Sequence, residues 1–235
     1  FRPGTMAISI GMLLSALAMT WHLVHFHYVK FNKESMYEVS KKIILLCIPL
    51  LLSAQFIAGI LNEALDLTDT NQELFISMSH NIFGVLSIAI VVPILEEVLF
   101  RGAIEGHLLR KGWSPKWAIL VSALIFGIIH GNPAQIPFAF LIGLLFGWLY
   151  YRTGSLVPGI VGHIINNSFG AWTMFTATRE ELSQTTMETL GTTITYILLV
   201  LAIIVFIGMY LYLNKYLPKP TNIQVKAINE QDITI

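Results

Sequence analysis

The stretch "PILEEVLFRG", Pro93 to Gly102, places two adjacent carboxylates, Glu96 and Glu97, in one of the most apolar regions of the chain. An arginine, Arg101, follows Glu97 by four residues. An ionisable side chain at the centre of a bilayer costs roughly 2.5–3.5 kcal/mol or more, and such residues usually mark a functional site. The stretch is therefore a candidate functional site, and its interpretation depends on the surrounding fold and on the polar groups at the same depth.

The chain around this stretch has the composition of a membrane protein. Of its 235 residues, 55% are hydrophobic and only 12% are charged, and the mean hydropathy is +0.69. A soluble domain carries about 25% charged residues. Apolar runs of about 20 residues, the length that spans a bilayer as a helix, recur along the whole chain. The sequence predicts an all-α, polytopic transmembrane helix bundle in which residues 1–235 form one membrane-embedded domain.

We predict seven spans, at about 5–28, 43–61, 74–110, 117–130, 136–151, 156–176 and 190–213. The third is too long for one straight crossing, and Pro93 within it predicts a kink. The first lacks a basic leader and a small-residue cleavage site, so we interpret it as a retained span. The predicted catalytic core covers about 74–176, and the outer spans cover 5–61 and 190–213.

The basic residues orient the predicted bundle. Apart from Arg2 and Arg179, all of them fall on alternate connections, which carry Lys30, Lys33, Lys41, Lys42, Arg101, Arg110, Lys111, Lys116, Arg152, Lys215, Lys219 and Lys226. The connection 62–73 is acidic and has no Lys or Arg. Because cytoplasmic connections are enriched in Lys and Arg, the N-terminus is predicted outside and the C-terminus in the cytoplasm.

Charge and cysteine content narrow the classes of partner. The formal net charge of +0 gives no indication of a nucleic-acid partner. The single cysteine, Cys47, excludes an internal disulfide and a cysteine metal cluster. The predicted partners are the lipid bilayer and a membrane-associated peptide or protein, with the oligomeric state left open.

Polar residues on three predicted spans lie at similar depths. At 1.5 Å per residue from the presumed cytoplasmic helix ends, Glu96 lies roughly 21 Å in and His130 roughly 20 Å in. By the same rise, His163 lies roughly 10 Å in and Asn167 roughly 16 Å in. One zone about 10 Å tall would hold all four side chains. We therefore expect them to converge.

Helical spacing predicts which of these side chains share a face. Glu97 and Arg101 are separated by four residues and can pair, whereas Glu96 is turned about 100° away and has no local cation. His163 and Asn167 also have the four-residue spacing that presents one polar face.

On the fourth predicted span, Phe126 lies one turn before His130. Its ring shares the face of the imidazole and is expected to wall a cavity.

These groups fit two kinds of hydrolytic chemistry. A desolvated glutamate such as Glu96 suits a general base that takes a proton from water, with a histidine orienting that water. Alternatively, Glu96, His130 and His163 would supply the two histidines and one carboxylate of a catalytic zinc site. No HExxH signature is present in the chain. Both interpretations, the glutamate base without metal and the zinc site, stay open at this point.

Three motifs together resemble a known family. The order EExxxR, FxxxH and HxxxN, each on a membrane helix, is similar to the CPBP family of CAAX prenyl endopeptidases and bacteriocin-processing (Abi) proteins. In this sequence the motifs read "EEVLFR", "FGIIH" and "HIINN", with the residues Glu96, Glu97, Arg101, Phe126, His130, His163 and Asn167. The match covers the central third of the chain.

The resemblance implies an intramembrane endopeptidase, a hydrolase of the kind labelled either metalloprotease or glutamate-dependent protease. It implies that Glu96 activates water with His130 as its partner, and that His163 and Asn167 stabilise the oxyanion. A second set, which is expected to support the site, consists of Glu97, Arg101 and Phe126. The metal-free mechanism is our preferred interpretation, with Zn²⁺ held by Glu96, His130 and His163 as the alternative.

Two other functions are compatible with intramembrane acids and histidines. One is a non-catalytic scaffold or regulator of the same family, although intact motifs argue against it. The other is a proton-coupled transporter, in which Glu and His serve as proton relays, although the chain lacks the internal repeat typical of such proteins. The preferred setting is a bacterial cytoplasmic membrane, with a leader peptide, peptide pheromone or small membrane protein as substrate.

Other polar and small residues are interpreted as structural at this stage. Asn166 lies beside the His163–Asn167 face and is expected to pack between helices. Gly143 and Gly147 form a small-xxx-small pair that favours close helix packing. Glu105 lies near the predicted cytoplasmic end of its span and is expected to be exposed.

Overall fold

The structure, a computed structural model, describes residues 4–29 and 41–217. Within these ranges the regular structure is helical and contains no strand, which confirms the predicted all-α membrane bundle. Parts of the charge pattern and the polar tail lie outside the described residues, namely Arg2, Lys30, Lys33, Lys219, Lys226 and the segment from Pro218 onward.

Each predicted span contains a helix. In chain order the described helices are α1 Thr5–His25, α2 Lys41–Ala64, α3 Gln72–Ser79, α4 Ile82–Arg110, α5 Pro115–Ile129, α6 Ile136–Thr153, α7 Val157–Thr176, α8 Arg179–Ser183, α9 Thr186–Leu190 and α10 Thr192–Tyr216. Five of them (α1, α2, α4, α6 and α10) are long and apolar enough to cross a membrane, and α5 is a shorter apolar helix. The protein is therefore an integral membrane protein, and the number of crossings stays a prediction.

The third predicted span is divided into two helices between Ser79 and Ile82, where the sequence predicts no division. Its first turns form the separate helix α3, and α4 restarts after Asn81, whose side-chain oxygen accepts a hydrogen bond from the Gly84 N–H at 2.8 Å. Pro93 does not break α4. It lies instead between two π-helical segments, Ser87–Val91 and Val98–Glu105.

Prolines and a glycine set the ends of the three helices that follow α4. Pro115, Pro137 and Pro158 lie in the first turn of α5, α6 and α7 respectively, where the missing N–H removes no helical hydrogen bond. Gly154 ends α6 in the left-handed conformation, with φ of 66°, which glycine adopts without steric cost. Short connections therefore place α5, α6 and α7 beside one another.

The connections that lack clustered basic residues meet at one end of the bundle. Asn132, fully buried after α5, accepts a hydrogen bond from the Thr70 N–H at 3.1 Å and donates one to Asp69 at 2.7 Å. Glu73, at the start of α3, forms an ion pair with Arg179 of α8. The acidic connection 62–73 is thus bound to its neighbours at this end.

Basic residues lie at the opposite end. Arg152 of α6 donates to the carbonyls of Asn214 and Leu217, each at 2.9 Å, and Arg110 donates to the carbonyl of Tyr28 at 3.4 Å. These two arginines of the predicted basic connections are therefore engaged in the packing of the bundle. The assignment of each end to one side of the membrane stays a prediction.

The polar segment after α7 forms two short helices with reciprocal caps. Thr178 accepts a hydrogen bond from the Glu181 N–H, while the Thr178 N–H donates to the Glu181 carboxylate at 2.8 Å. Thr185 and Glu188 repeat this arrangement. These donated hydrogen bonds hold the pKa values of the Glu181 and Glu188 carboxyls below their usual range.

Helix α7 occupies the centre of the bundle, in contact with α2, α3, α4 and α6. Helix α10 packs mainly on α2 and leaves most of its surface outward. The largest buried cluster joins α2, α6 and α10 and includes Leu50, Phe146 and Leu149. This packing brings the polar face of α7 against α4, where the two acids lie.

Candidate active site

A cavity of about 300 Å³ lies among α1, α3, α4, α5, α6 and α7. All four residues predicted as catalytic line it, on three different helical segments. Its lining polar groups are Glu96, His130, Gln135, His163, Asn166 and Asn167, and the remaining lining residues are apolar or glycine. The convergence expected from depth alone is therefore what the structure shows, while the chemical roles stay predictions.

Glu97 and Arg101 form a buried ion pair behind this cavity. The Arg101 Nη1 donates to Glu97 Oε1 at 2.8 Å, and both side chains are 1% exposed. Arg101 also donates to the Gly143 carbonyl at 3.1 Å, and its guanidinium lies 4.4 Å from the centre of the Phe126 ring. The pair predicted from helical spacing is confirmed, and it joins α4 to α5 and α6.

His163 lies between the two acids of α4. Its Nδ1 is 3.1 Å from Glu97 Oε1 with hydrogen-bond geometry, and its Nε2 is 3.4 Å from Glu96 Oε2, which is a longer contact. A neutral imidazole donates through one nitrogen and accepts through the other. The hydrogen bond to Glu97 therefore engages Nδ1, while Nε2 faces Glu96.

Glu96 is the acid that faces the cavity. Its side chain is 20% exposed, against 1% for Glu97. Among the described residues it forms no ion pair with a lysine or arginine, as predicted from its position on the helix. A carboxylate without a cationic partner, next to a histidine, is suited to accept a proton.

His130 follows the last residue of α5 and is fixed through one ring nitrogen. Its Nδ1 lies 2.7 Å from the Phe126 carbonyl. Because a carbonyl only accepts, Nδ1 carries the hydrogen and Nε2 has the lone pair. Phe126 makes edge-to-face contacts with both histidines, at centroid distances of 5.0 Å to His130 and 5.8 Å to His163. Its predicted place in the cavity wall is confirmed.

Asn167 is held by a carbonyl that Pro93 leaves without a helical donor. In a π-helix the carbonyl of residue i pairs with the N–H of residue i+5, so the Ile88 carbonyl would pair with residue 93, which has no N–H. The Asn167 Nδ2 donates to the Ile88 carbonyl at 2.9 Å. One of its two amide hydrogens is therefore engaged in holding α4 against α7.

Asn166 differs from its predicted position between helices. It lines the cavity, and its Nδ2 donates to Asn167 Oδ1 at 3.1 Å. A central helix can expose more than one of its faces to a cavity, so adjacent residues can both line it. The four-residue spacing identifies only the residues that share one face.

Glu105 also differs from expectation, because it is fully buried rather than exposed. Neither of its carboxyl oxygens has a hydrogen-bond partner among the described residues. It follows Glu97 and Arg101 at the same four-residue spacing, a sequence signal that would have placed it on their buried face.

Glycines make room for all three members of this buried charged row. A Cβ at Gly147 would lie 2.6 Å from Glu105 Oε2, and one at Gly159 would lie 2.7 Å from Glu97 Oε2. A Cβ at Gly143 would lie 3.2 Å from Arg101 Nη2. The small-xxx-small pair of α6 therefore accommodates side chains of α4 as well as helix packing.

We predict that Gly147→Ala and Gly159→Ala each destabilise the fold by about 1–3 kcal/mol, because the new methyl group displaces a buried carboxylate. Thermal unfolding in detergent measures the effect. Gly59→Ala is the matched control, since a Cβ there meets nothing within 4 Å. It should be neutral or stabilising by up to about 1 kcal/mol. Equal unfolding temperatures for all three variants would contradict the prediction.

The choice between the metal-free and the zinc alternative stays a prediction, and the described side chains bear on it only through their arrangement. A catalytic zinc site needs three protein ligands directed at one point. Within residues 4–29 and 41–217, no group of three His, Cys, Asp or Glu side chains is arranged to hold a metal ion. His163 instead has each ring nitrogen toward a carboxyl group, as described above.

Comparison with known proteins places the site in a family context. Residues 78–169 match the family described as type II CAAX prenyl endopeptidase Rce1-like. This region contains all three motifs. No solved structure matches the chain significantly.

Three bacterial relatives are similar to part of the chain. YdiL of Bacillus subtilis, whose name describes it as a membrane peptidase, is 38% identical over 34% of this chain and 33% of its own length. The membrane-embedded CAAX protease MroQ of Staphylococcus aureus is 33% identical over 43% of this chain and 42% of its own length. The UPF0177 protein YxdF of Lactococcus lactis is 28% identical over 52% of this chain and 63% of its own length.

The matches thus cover less than two thirds of each of these relatives. The family match, residues 78–169, contains most of the residues that line the cavity. The resemblance to the CAAX-protease family, predicted from three motifs, is confirmed over this central region of the chain.

Proposed function

We propose that this protein is an intramembrane endopeptidase, which hydrolyses a peptide bond in a membrane-associated peptide or protein. The observation that carries the proposal is the position of Glu96. It is the one carboxylate among the described residues that line the cavity, it lies beside His163, and it has no lysine or arginine partner among them.

The proposed reaction begins with water between Glu96 and the substrate carbonyl. Glu96 takes a proton from the water, the water oxygen bonds to the carbonyl carbon, and the carbonyl electron pair moves onto its oxygen. On collapse of this tetrahedral species the carbon–nitrogen bond breaks, and the leaving nitrogen takes the proton from Glu96. A single carboxyl group thus acts first as base and then as acid.

Neighbouring residues complete the proposed site. His130, fixed through Nδ1, accepts a hydrogen bond from the attacking water through Nε2. In this proposal His163 donates to the developing oxyanion through Nε2, which otherwise makes only the longer contact with Glu96. The second N–H of Asn167 donates to the same oxyanion, and preorganised donors of this kind are most effective where little water is present. Glu97 holds the ring of His163 and is itself held by Arg101.

We propose the metal-free route because the described residues do not form a three-ligand metal set, whereas the contacts of Glu96 and His163 suit proton transfer. Residues 1–235 are proposed to act as a single domain, with the catalytic core at 74–176. The apolar lining of the cavity and the bacterial relatives support a bacterial cytoplasmic membrane as the location. A leader peptide, pheromone or small membrane protein is the proposed substrate class.

The full chain, purified and reconstituted in liposomes, tests the proposal. A library of quenched fluorogenic peptides with apolar centres is incubated with it, and products are identified by mass spectrometry. Metal content is measured on the same sample, and cleavage is repeated with a chelator. We expect cleavage that persists in the chelator. Bound zinc in a one-to-one ratio, with cleavage lost on chelation, would overturn the metal-free route. No cleavage of any library member would favour the scaffold alternative.

A further inference from the structure

Most hydrogen-bonding groups in the cavity already have a partner in the protein. His163 faces Glu96 and Glu97, His130 is bound through Nδ1 to Phe126, and Asn167 is engaged at both ends of its amide. These contacts fix the reacting groups, and they leave few groups that could recognise a substrate.

Besides Gln135, whose side chain forms no hydrogen bond with a described residue, the exception is Asn166, next to the catalytic face. It uses one amide hydrogen, which it donates to Asn167, and its carbonyl oxygen accepts no hydrogen bond from any described residue. One amide N–H and the carbonyl oxygen of this side chain, which lines the cavity, therefore remain available for hydrogen bonds. The hydrogen bond to Asn167 fixes this amide beside the residues proposed to act on the carbonyl.

An open amide has the hydrogen-bonding complement of a peptide group. Each peptide unit of a substrate presents one N–H and one C=O, and both must find partners in a cavity that excludes water. Many proteases and binding domains meet this need with the edge of a β-sheet. Helical backbone cannot do so, because its groups are engaged within the helix, and the described residues contain no strand. A side-chain amide that lines the cavity can take that part here.

We infer that Asn166 binds the main chain of the substrate, accepting from a backbone N–H and donating to a backbone C=O. This inference rests on the proposed function and deepens it, because it assigns to this residue the recognition of an extended peptide backbone rather than of a side chain. Asn166 is thereby a substrate-binding residue, distinct from the groups that transfer protons.

A binding assay that separates recognition from turnover tests the inference. The probe is a fluorescent ten-residue peptide of alternating alanine and leucine, together with analogues in which one backbone amide at a time is replaced by an ester. Binding to the full chain in detergent is measured by anisotropy in a Glu96→Gln background, so that no probe is consumed. The variants are Asn166→Ala, Asn166→Leu, which keeps the volume, and Ser168→Ala as a control on the same helix outside the cavity lining.

We expect Asn166→Ala and Asn166→Leu to weaken binding about five- to tenfold, the loss associated with one or two hydrogen bonds, and Ser168→Ala to leave it unchanged. At least one ester analogue should bind the protein that retains Asn166 more weakly than the all-amide peptide does, by a similar factor. The Asn166 variants should bind that analogue and the all-amide peptide with equal affinity. A purely structural Asn166 would not give this coupling to a single backbone position. Thermal unfolding checks that each variant is folded. If Asn166→Ala does not fold, the comparison is made with Asn166→Leu alone.

Binding that is absent for the probe, or within twofold for both Asn166 variants, would overturn the inference. Ester analogues that lose affinity equally with and without Asn166 would overturn it too. Failure of the proposed function looks different, because wild-type protein would then bind the probe with the expected dependence on Asn166 and cut no peptide of the library.

Discussion

Glu96→Gln should abolish cleavage while leaving the fold intact. The substitution keeps the size and hydrogen-bonding reach of the side chain, but an amide cannot take a proton from water. A positioned general base contributes about 10²–10⁴-fold to a rate, so we expect the cleavage rate to fall by at least about a hundredfold. Because the side chain is partly exposed to the cavity and forms no ion pair with a lysine or arginine among the described residues, its thermal unfolding should stay close to that of the wild type.

Glu97→Gln is the matched control, since it is the same substitution one residue away. Glu97 is buried with Arg101 and His163, so its loss should lower the unfolding temperature as well as the cleavage rate. The two variants therefore separate chemistry from structure. Normal cleavage by Glu96→Gln would contradict the role of Glu96 as the base. Equal losses of stability in the two variants would show that both acids serve mainly to stabilise the fold.

The local part of this site follows from the sequence. Helical spacing is enough to pair Glu97 with Arg101, because both residues lie on one element whose geometry is nearly fixed. The rise per residue is likewise enough to bring Glu96, His130 and His163 into one zone about 10 Å tall. Neither inference needs knowledge of how the helices pack.

The remaining features depend on contacts between elements. The rotation of α7 against α4 decides that His163 lies between two acids, and no spacing within one helix contains that rotation. Asn167 binds the Ile88 carbonyl because a π-helical segment precedes Pro93, whereas the sequence predicts only a kink there. Spacing from Arg101 indicates the face on which Glu105 lies, but the room for its carboxyl group depends on the absent side chain of Gly147 in α6. In each case the decisive partner is distant along the chain.

Arg101→Met should produce the largest loss of stability. The methionine fills much of the space, but it leaves Glu97 without its cation in a position that is 1% exposed. It also removes the hydrogen bond to the Gly143 carbonyl and the contact with the Phe126 ring. Removal of one partner of a buried ion pair costs about 3–5 kcal/mol. We therefore expect a strongly lowered unfolding midpoint in a denaturant titration in detergent, with cleavage lost because Glu97 no longer holds His163.

The double variant Glu97→Gln with Arg101→Met shows whether the charge is the cause. If the cost of Arg101→Met arises from an uncompensated carboxylate, neutralising that carboxylate should recover part of it, and the double variant should be more stable than the sum of the single changes predicts by about 1–3 kcal/mol. Additive losses would instead assign the effect of Arg101 to its packing against Phe126 and its bond to Gly143. Since Glu97 also bonds to His163, stability recovered in the double variant should return without cleavage. That outcome would separate the ion pair's contribution to the fold from its contribution to the geometry of the site.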